Sequence, residues 1–215
     1  MADYSLNDQE KNTLLAVGLR VEYKRGHVLF SAGEAADRIY LLEKGQVKIY
    51  RLKEDGDRAT VALRYPGELL GLAEVLYGGQ RMCFAQAMTN VHVAMFMRAD
   101  FLELLLHRPQ LNIKISMILG IRLREAQETI YELACLYVPG RLALLLLKLS
   151  ARCGIHEADG TRLDLPLTHE EIACMIGSSR PTVTATLNDF QNEGTITWQG
   201  KYIKILHPDG LKAWV

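Results

Sequence analysis

Apolar positions along the chain change rhythm at Val21, Ala99 and Pro139. Over residues 1–19, Leu6, Leu14, Leu15 and Val17 recur at roughly helical spacing, with Gly18 near the end, which predicts an opening helix. From Val21 to about Met97 the pattern is one of short alternating runs, "HVLF", "RIYLLEKGQVKIYRL", "RATVALRY" and "HVAMFM", punctuated by Gly, Asp-Gly and Pro-Gly. That spacing predicts a compact β-barrel or roll. The "EDGD" between two of the runs predicts a hairpin, because Gly56 adopts a positive φ without steric cost.

Residues 98–109, "RADFLELLLHRP", predict a short helix ended by Pro109. The following segment to Val138 contains no further proline and only Gly120 as a weak point, so one helix of about 45 Å is expected. Leu119, Leu123, Ala126, Ile130, Leu133 and Tyr137 fall on it in alternating steps of four and three, the seam of a two-stranded coiled coil. Ile113, Ile118, Ile121 and Cys135 fall mostly elsewhere, where the roll is expected to cover them. Two apolar stripes predict a homodimer. Pro139-Gly140 then breaks the helix. Beyond it come a buried helix in "RLALLLLKLSARCG", a loop or short hairpin in "IHEADGTRLDLPL", two further helices and a β-ribbon.

Residues 167–196 carry the most specific signal. Thr168 is a natural N-cap with Glu171 completing a capping box, and the helix they open buries Ile172, Ala173 and Ile176. Gly177 supplies a sharp turn, Ser178 or Ser179 caps a second helix, and Pro181 falls in its first turn, where a missing N–H costs nothing. Val183, Leu187 and Phe190 form the inner face. This is a helix-turn-helix, and its second helix enters a DNA major groove N-terminus first. Arg180 is expected to donate twice to guanine O6 and N7, and Pro181, Thr184 and Ala185 to lie at base edges. Thr168, His169, Ser178, Ser179 and Thr182 suit phosphate oxygens. "TITWQGKYIKI", with a Gln199-Gly200 turn, reads as a wing bringing Lys201 to the backbone.

Composition narrows the remaining classes. Hydrophobic residues make up 49% and charged residues 23% of the 215, and no run reaches the roughly 18 apolar residues of a membrane span. The polar, acidic start "MADYSLNDQEK" lacks a secretion signal, so a cytoplasmic protein with no membrane partner is expected. The formal net charge is zero, so DNA contact rests on a local surface rather than on bulk charge. Cys83, Cys135, Cys153 and Cys174 are far apart, which indicates neither zinc nor a disulfide framework. A metal enzyme on a β-roll needs clustered His and Glu, whereas only His27 and His92 of the six histidines lie in the roll. No catalytic residues, no metal site and no enzymatic activity are expected.

The roll containing "GEAADRIYLLEKGQVKIY", the long helix and the terminal "LTHEEIACMIGSSRPTVT", in that order, resemble the CRP/FNR family of bacterial transcription regulators. The resemblance implies an α+β chain: a cupin-like, cyclic-nucleotide-binding-like β-roll with its N-terminal helix (1–108), a dimerisation helix (109–138) and a winged helix-turn-helix domain (139–215). It also implies a homodimer on a two-fold operator in double-stranded DNA, RNA polymerase as partner, and an effector in the roll that reorients the DNA-binding domains. Arg180 matches a guanine-reading arginine of the family, and Thr168, Ser179, Thr182 and Lys201 match its backbone contacts. Pro181 and Ala185 stand where many members have a glutamate and an arginine, so a different half-site is expected.

Nucleotide-binding members resemble Gly-Glu-Leu followed after a turn by Arg-Ser or Arg-Thr. Here Leu72, Met82 and Cys83 stand at the Glu, Arg and hydroxyl positions, and Ala126 and Gln127 at those of adenine-contacting hydroxyls. Arg81, one residue out of register on a strand, is expected to point to the opposite face. Cyclic AMP is therefore not the expected effector. An iron–sulfur cluster is not expected either, since no cysteine precedes Cys83. Haem through Cys83, His92 or His27, or a redox role for Cys83 or Cys135, is the minor alternative; a pocket that has lost its ligand stands nearly level with an unknown effector. The expected pocket, for an effector still unknown, comprises Gly71, Leu72, Ala73, Arg81, Met82, Cys83, Phe84, Arg122, Leu123, Ala126 and Gln127.

Overall fold

A computed structural model describes residues 6–215, which form two compact units, one ending at Glu125 and the other running from Ala126 to Val215. Each is built around its own apolar core. The sequence boundary near residue 138 thus lies beyond the division, because the end of the long helix belongs to the second unit.

In the first unit, α1 (Asp8–Leu15) opens on a capping box. The Glu10 N–H donates to Asn7 Oδ1 at 2.8 Å, and the Asn7 N–H donates to Glu10 Oε2 at 2.7 Å. The helix is shorter than the expected 1–19, part of which lies outside the described residues. It is followed by β1 (Leu19–Tyr23), where pairing to another strand overrides local helical spacing.

The roll continues with β2 (Val28–Phe30), β3 (Arg38–Lys44), β4 (Val47–Leu52), β5 (Arg58–Arg64), β6 (Leu69–Leu70), α2 (Leu72–Tyr77), β7 (Phe84–Ala87) and β8 (Val91–Met97). Antiparallel pairing gives two four-stranded sheets, ordered β1-β8-β3-β6 and β2-β7-β4-β5. Alternation along β3 explains why the first sheet is buried on both faces. Tyr40 and Leu42 pack with Leu29, Phe30, Val47 and Val93 between the sheets, while Ile39 and Leu41 pack with Leu14, Phe96 and helical residues on the other side. Those helical residues come from α2, α3 (Arg98–His107) and the start of α4 (Pro109–Cys135), including Phe101, Leu105, Leu111 and Ile115.

The 27-residue α4 ends at Cys135, three residues before the expected Val138. In a continued helix the Pro139 ring would clash with the carbonyl of residue 135. The chain instead turns extended at Tyr137, which caps α5 (Val138–Cys153), with Pro139 in that helix's first turn. Ile118 packs on the roll core as expected, but Ile113 is 56% exposed and Cys135 is exposed, so the second apolar stripe is only partly covered.

The second unit continues with β9 (Gly154–Glu157), β10 (Gly160–Leu163), α6 (His169–Ile176), α7 (Arg180–Asn192), β11 (Ile196–Gln199), β12 (Tyr202–Ile205) and α8 (Pro208–Lys212). Its antiparallel sheet has the order β11-β12-β10-β9, which joins the "IHEADGTRL" hairpin to the wing. Leu142, Leu146, Ile172, Ile176, Val183, Leu187, Phe190 and Ile203 are all buried.

Candidate functional site

The helix-turn-helix is assembled by its caps. Thr168 Oγ1 accepts from the Glu171 N–H at 3.1 Å and the Thr168 N–H donates to Glu171 Oε2 at 2.9 Å, which fixes the start of α6. Gly177 ends it in the left-handed region, φ 62° and ψ 50°, where a residue with a Cβ is strained. Ser179, rather than Ser178, caps α7: its hydroxyl accepts from the Thr182 N–H and lies 2.8 Å from Thr182 Oγ1. Arg180, Pro181, Thr182 and Ala185 are exposed, while Val183, Thr186, Leu187 and Phe190 are buried. Asn188, which the sequence reading did not single out, is also exposed and lies one turn beyond Thr184 on the same side of α7.

Thr184, expected at base edges, has its hydroxyl engaged within the motif. Its hydroxyl donates to the Arg180 carbonyl at 2.9 Å and lies 2.7 Å from His169 Nδ1. Since a hydroxyl has one proton to give, Nδ1 is the donor in the second bond. His169 is therefore pinned to α7, and its ring lies 5.6 Å from that of Trp198 on β11. Trp198 thus joins the site through the wing. No spacing in the sequence signals that contact. The wing turn is Gly200-Lys201, one residue later than expected, because Gln199 pairs with Tyr202. Lys201 is exposed there, 5.6 Å from the Tyr202 ring centre.

The end of α4 is attached to this motif. The Arg141 guanidinium donates to the carbonyls of Leu136, at 3.0 Å, and Gly177, at 3.4 Å. A Cβ on Gly177 would stand 3.3 Å from a Leu133 methyl, and Lys148 pairs with Glu132. Leu133, expected in the coiled-coil seam, is therefore 48% exposed and lies against the helix-turn-helix turn. Leu123 at 63%, Ile130 at 66% and Tyr137 at 89% are exposed residues of the expected seam. Leu119 instead packs partly on the roll core, and Ala126 is exposed.

In the roll, the expected pocket residues differ in burial and in partners. Leu72 is buried in the helix-facing core, Met82 is 55% exposed, and Phe84 stacks on Tyr50. Ala73 and Leu123 are exposed, as is Gln127 on the part of α4 belonging to the second unit. Arg122 turns inward and donates to the Leu69 carbonyl. Burial, reinforced by Arg64, lowers its pKa to about 10. An open depression of about 280 Å³ is lined by Ala35, Ala36, Asp37, Gly78, Gly79 and Arg98, none of them in the expected set.

Arg81 reverses its expectation. It precedes β7, so strand alternation does not govern it, and its backbone is held by the Gly33-Glu34 turn. The guanidinium is buried. It donates to the Gly71 carbonyl at 2.8 Å and to the Arg38 carbonyl, and lies 3.5 Å from Glu74 Oε2 and 4.4 Å above the Phe30 ring. Cys83 is half-buried, and burial, then the Glu74 charge, pushes its thiol pKa up. His27 stacks on Tyr23, and His92 lies 3.4 Å from Glu22. Among the described residues no cluster of His, Cys, Asp and Glu is arranged to hold a metal ion, and no helix is long and apolar enough to cross a membrane.

A β-roll, a long helix and a winged helix-turn-helix define the class of DNA-binding transcription regulators that carry a sensing domain. The comparisons identify the family. Residues 20–108 match the cyclic nucleotide-binding domain and residues 140–214 the Crp-like helix-turn-helix domain. The chain is 34% identical over 185 residues to the CRP-like cAMP-activated global transcriptional regulator of Mycobacterium tuberculosis, covering 86% of this chain and 83% of that one. It is likewise 34% identical over 192 residues to the global nitrogen regulator of Synechococcus elongatus, covering 88% and 86%. Among solved structures, a CRP/FNR-family regulator of Thermus thermophilus superposes with a TM-score of 0.75 at 28% identity, covering 91% and 97%. FixK2 of Bradyrhizobium japonicum shares the fold, with a TM-score of 0.82 at 22% identity over 92% and 97%. The chain belongs to the CRP/FNR family of transcription regulators.

Proposed function

We propose that this regulator is a homodimer that reads a two-fold operator, with α7 of each protomer in a major groove. The capped α6–α7 pair with Arg180, Pro181 and Ala185 left exposed carries this reading. Arg180 supplies the paired donors for guanine, while Pro181 and Ala185 offer apolar contact to a thymine methyl. Thr168, His169, Ser178, Ser179, Thr182 and Lys201 hold the phosphate backbone and set the register. The open stripe through Leu123 and Ile130 supports a partner helix. The protein works in the cytoplasm beside RNA polymerase.

For the roll, we propose gating by an effector other than cyclic AMP. The Mycobacterium tuberculosis relative is named as cAMP-activated, but here Leu72 lies in the core and Met82 presents an uncharged thioether, so the polar grip on ribose and phosphate is reduced. A second reading, a roll without an external effector, is favoured by Arg81 finding its acceptor and its counter-ion, Gly71 and Glu74, within the chain. A thiolate sensor at Cys83 is disfavoured by the raised thiol pKa, and haem by the separate partners of His27 and His92.

DNA binding tests the site assignment. Affinity for a preferred duplex is expected to fall linearly with salt on logarithmic axes, and Arg180→Ala to weaken it about ten-fold or more. Glu54→Ala, on an exposed turn of the roll, should bind as the wild type does. Unchanged binding by Arg180→Ala contradicts the assignment.

A further inference from the structure

Arg81 is a cation deep in a small roll, its side chain only 2% exposed. A buried guanidinium is tolerated only where an anion and acceptors offset its lost hydration. Two backbone carbonyls and the Phe30 face meet part of that need, and the anion is Glu74, whose side chain is 14% exposed. The site is shaped for the pair. Gly71 is held at φ 73°, and a Cβ there would come within 2.4 Å of Arg81 Nη1 and 2.8 Å of Cζ, so the absence of a side chain makes room for the guanidinium.

The fit is incomplete. Glu74 Oε2 stands 3.5 Å from Nη1, beyond the usual 2.7–2.9 Å of a charge-assisted bond, and Arg81 Nε is buried without a hydrogen-bond partner. The Glu74 charge is also felt at Cys83, where it adds to the effect of burial in raising the thiol pKa. One carboxylate therefore lies beside the guanidinium and adds its charge at the thiol, inside the stretch where a sensing site was expected.

We propose that Glu74 is an internal ligand: its carboxylate fills an anion site built by Arg81 and Gly71, so the roll needs no external anion, and a small carboxylate enters only when Glu74 is removed. This rests on reading the roll as the sensing domain; its test reads stability alone, and operator binding serves only to tell the two failures apart.

Thermal unfolding of the full chain in chloride and in acetate at matched ionic strength reads the site directly. Glu74→Ala is expected to melt about 5 °C or more below the wild type in chloride and to recover at least half of that loss, saturably, in acetate. The wild type, and Glu74→Ala combined with Arg81→Met, should not respond to acetate. Glu74→Gln keeps the shape without the charge, and is expected to melt below the wild type with no acetate response. No recovery in Glu74→Ala, a Glu74→Gln protein as stable as the wild type, or a saturating shift of the wild type with acetate or cyclic AMP overturns the proposal. A wild type that binds its operator while Glu74→Ala fails to recover loses this inference alone.

Discussion

Thr184 shows how a residue of suitable type on a suitable face can still have other work. Its hydroxyl is shared between the Arg180 carbonyl and His169 Nδ1, so it orients a neighbour instead of offering both hydrogen-bonding functions to a base. Thr184→Val, which keeps the shape and removes the hydroxyl, is expected to weaken DNA binding by a few-fold to about ten-fold, the worth of a hydrogen bond of about 0.5–1.5 kcal/mol. The loss should be similar across operator variants, as measured by fluorescence anisotropy. A change of base preference at one position would instead return Thr184 to direct readout. The caps Thr168 and Ser179, the turn at Gly177 and the exposure of Arg180 were legible in sequence because they depend on neighbours within a few residues. The inward turn of Arg81 was not. It is decided by Phe30, Arg38, Gly71 and Glu74, which only the closed roll brings together.

At the level of elements, the hydrophobic rhythm located the roll, the long helix and the winged motif, but missed where α4 stops and how the wing sheet is extended. The strand partners of β10 lie on both sides in sequence, so its role as the link between the wing and β9 needed the fold. An ion network sits on that link. Lys204, buried on β12, pairs with Glu157 and Asp159, while Arg162 pairs with Glu157 and Asp164. Hydrogen bonds from Lys204, joined at Glu157 by Arg162, hold both the Glu157 and Asp159 carboxyls below their ordinary values. Hydrogen bonds to Asp159 and Glu157 raise Lys204. The carboxylates' contribution is present above the unfolded carboxylate range of about pH 4 and is lost as pH falls toward their folded values. That of Lys204 is present below its unfolded value and lost only as pH rises through the higher folded one. The melting temperature is therefore expected to fall on acidification below about pH 4. Lys204→Met should flatten that acid limb while its apolar stem remains packed, and an unaltered limb would contradict the network's part in it.

For the whole molecule, the central claim is that a chain with no formal net charge finds DNA through a few placed groups repeated by two-fold symmetry. Exposed Leu123 and Ile130 argue for the second copy, and the attachment of Leu133 and Arg141 to Gly177 ties the end of α4 to the reading head within the second unit. The most direct test is selection of preferred sites from a randomised duplex library by the full-length protein, with the number of chains per site counted by sedimentation. The account predicts inverted repeats with half-site centres about one helical turn, or 34–36 Å, apart. Each should be bound by two chains, with one base-pair preference in each half lost in Arg180→Ala. Enrichment of single half-sites held by one chain, or no enrichment at all, would contradict it.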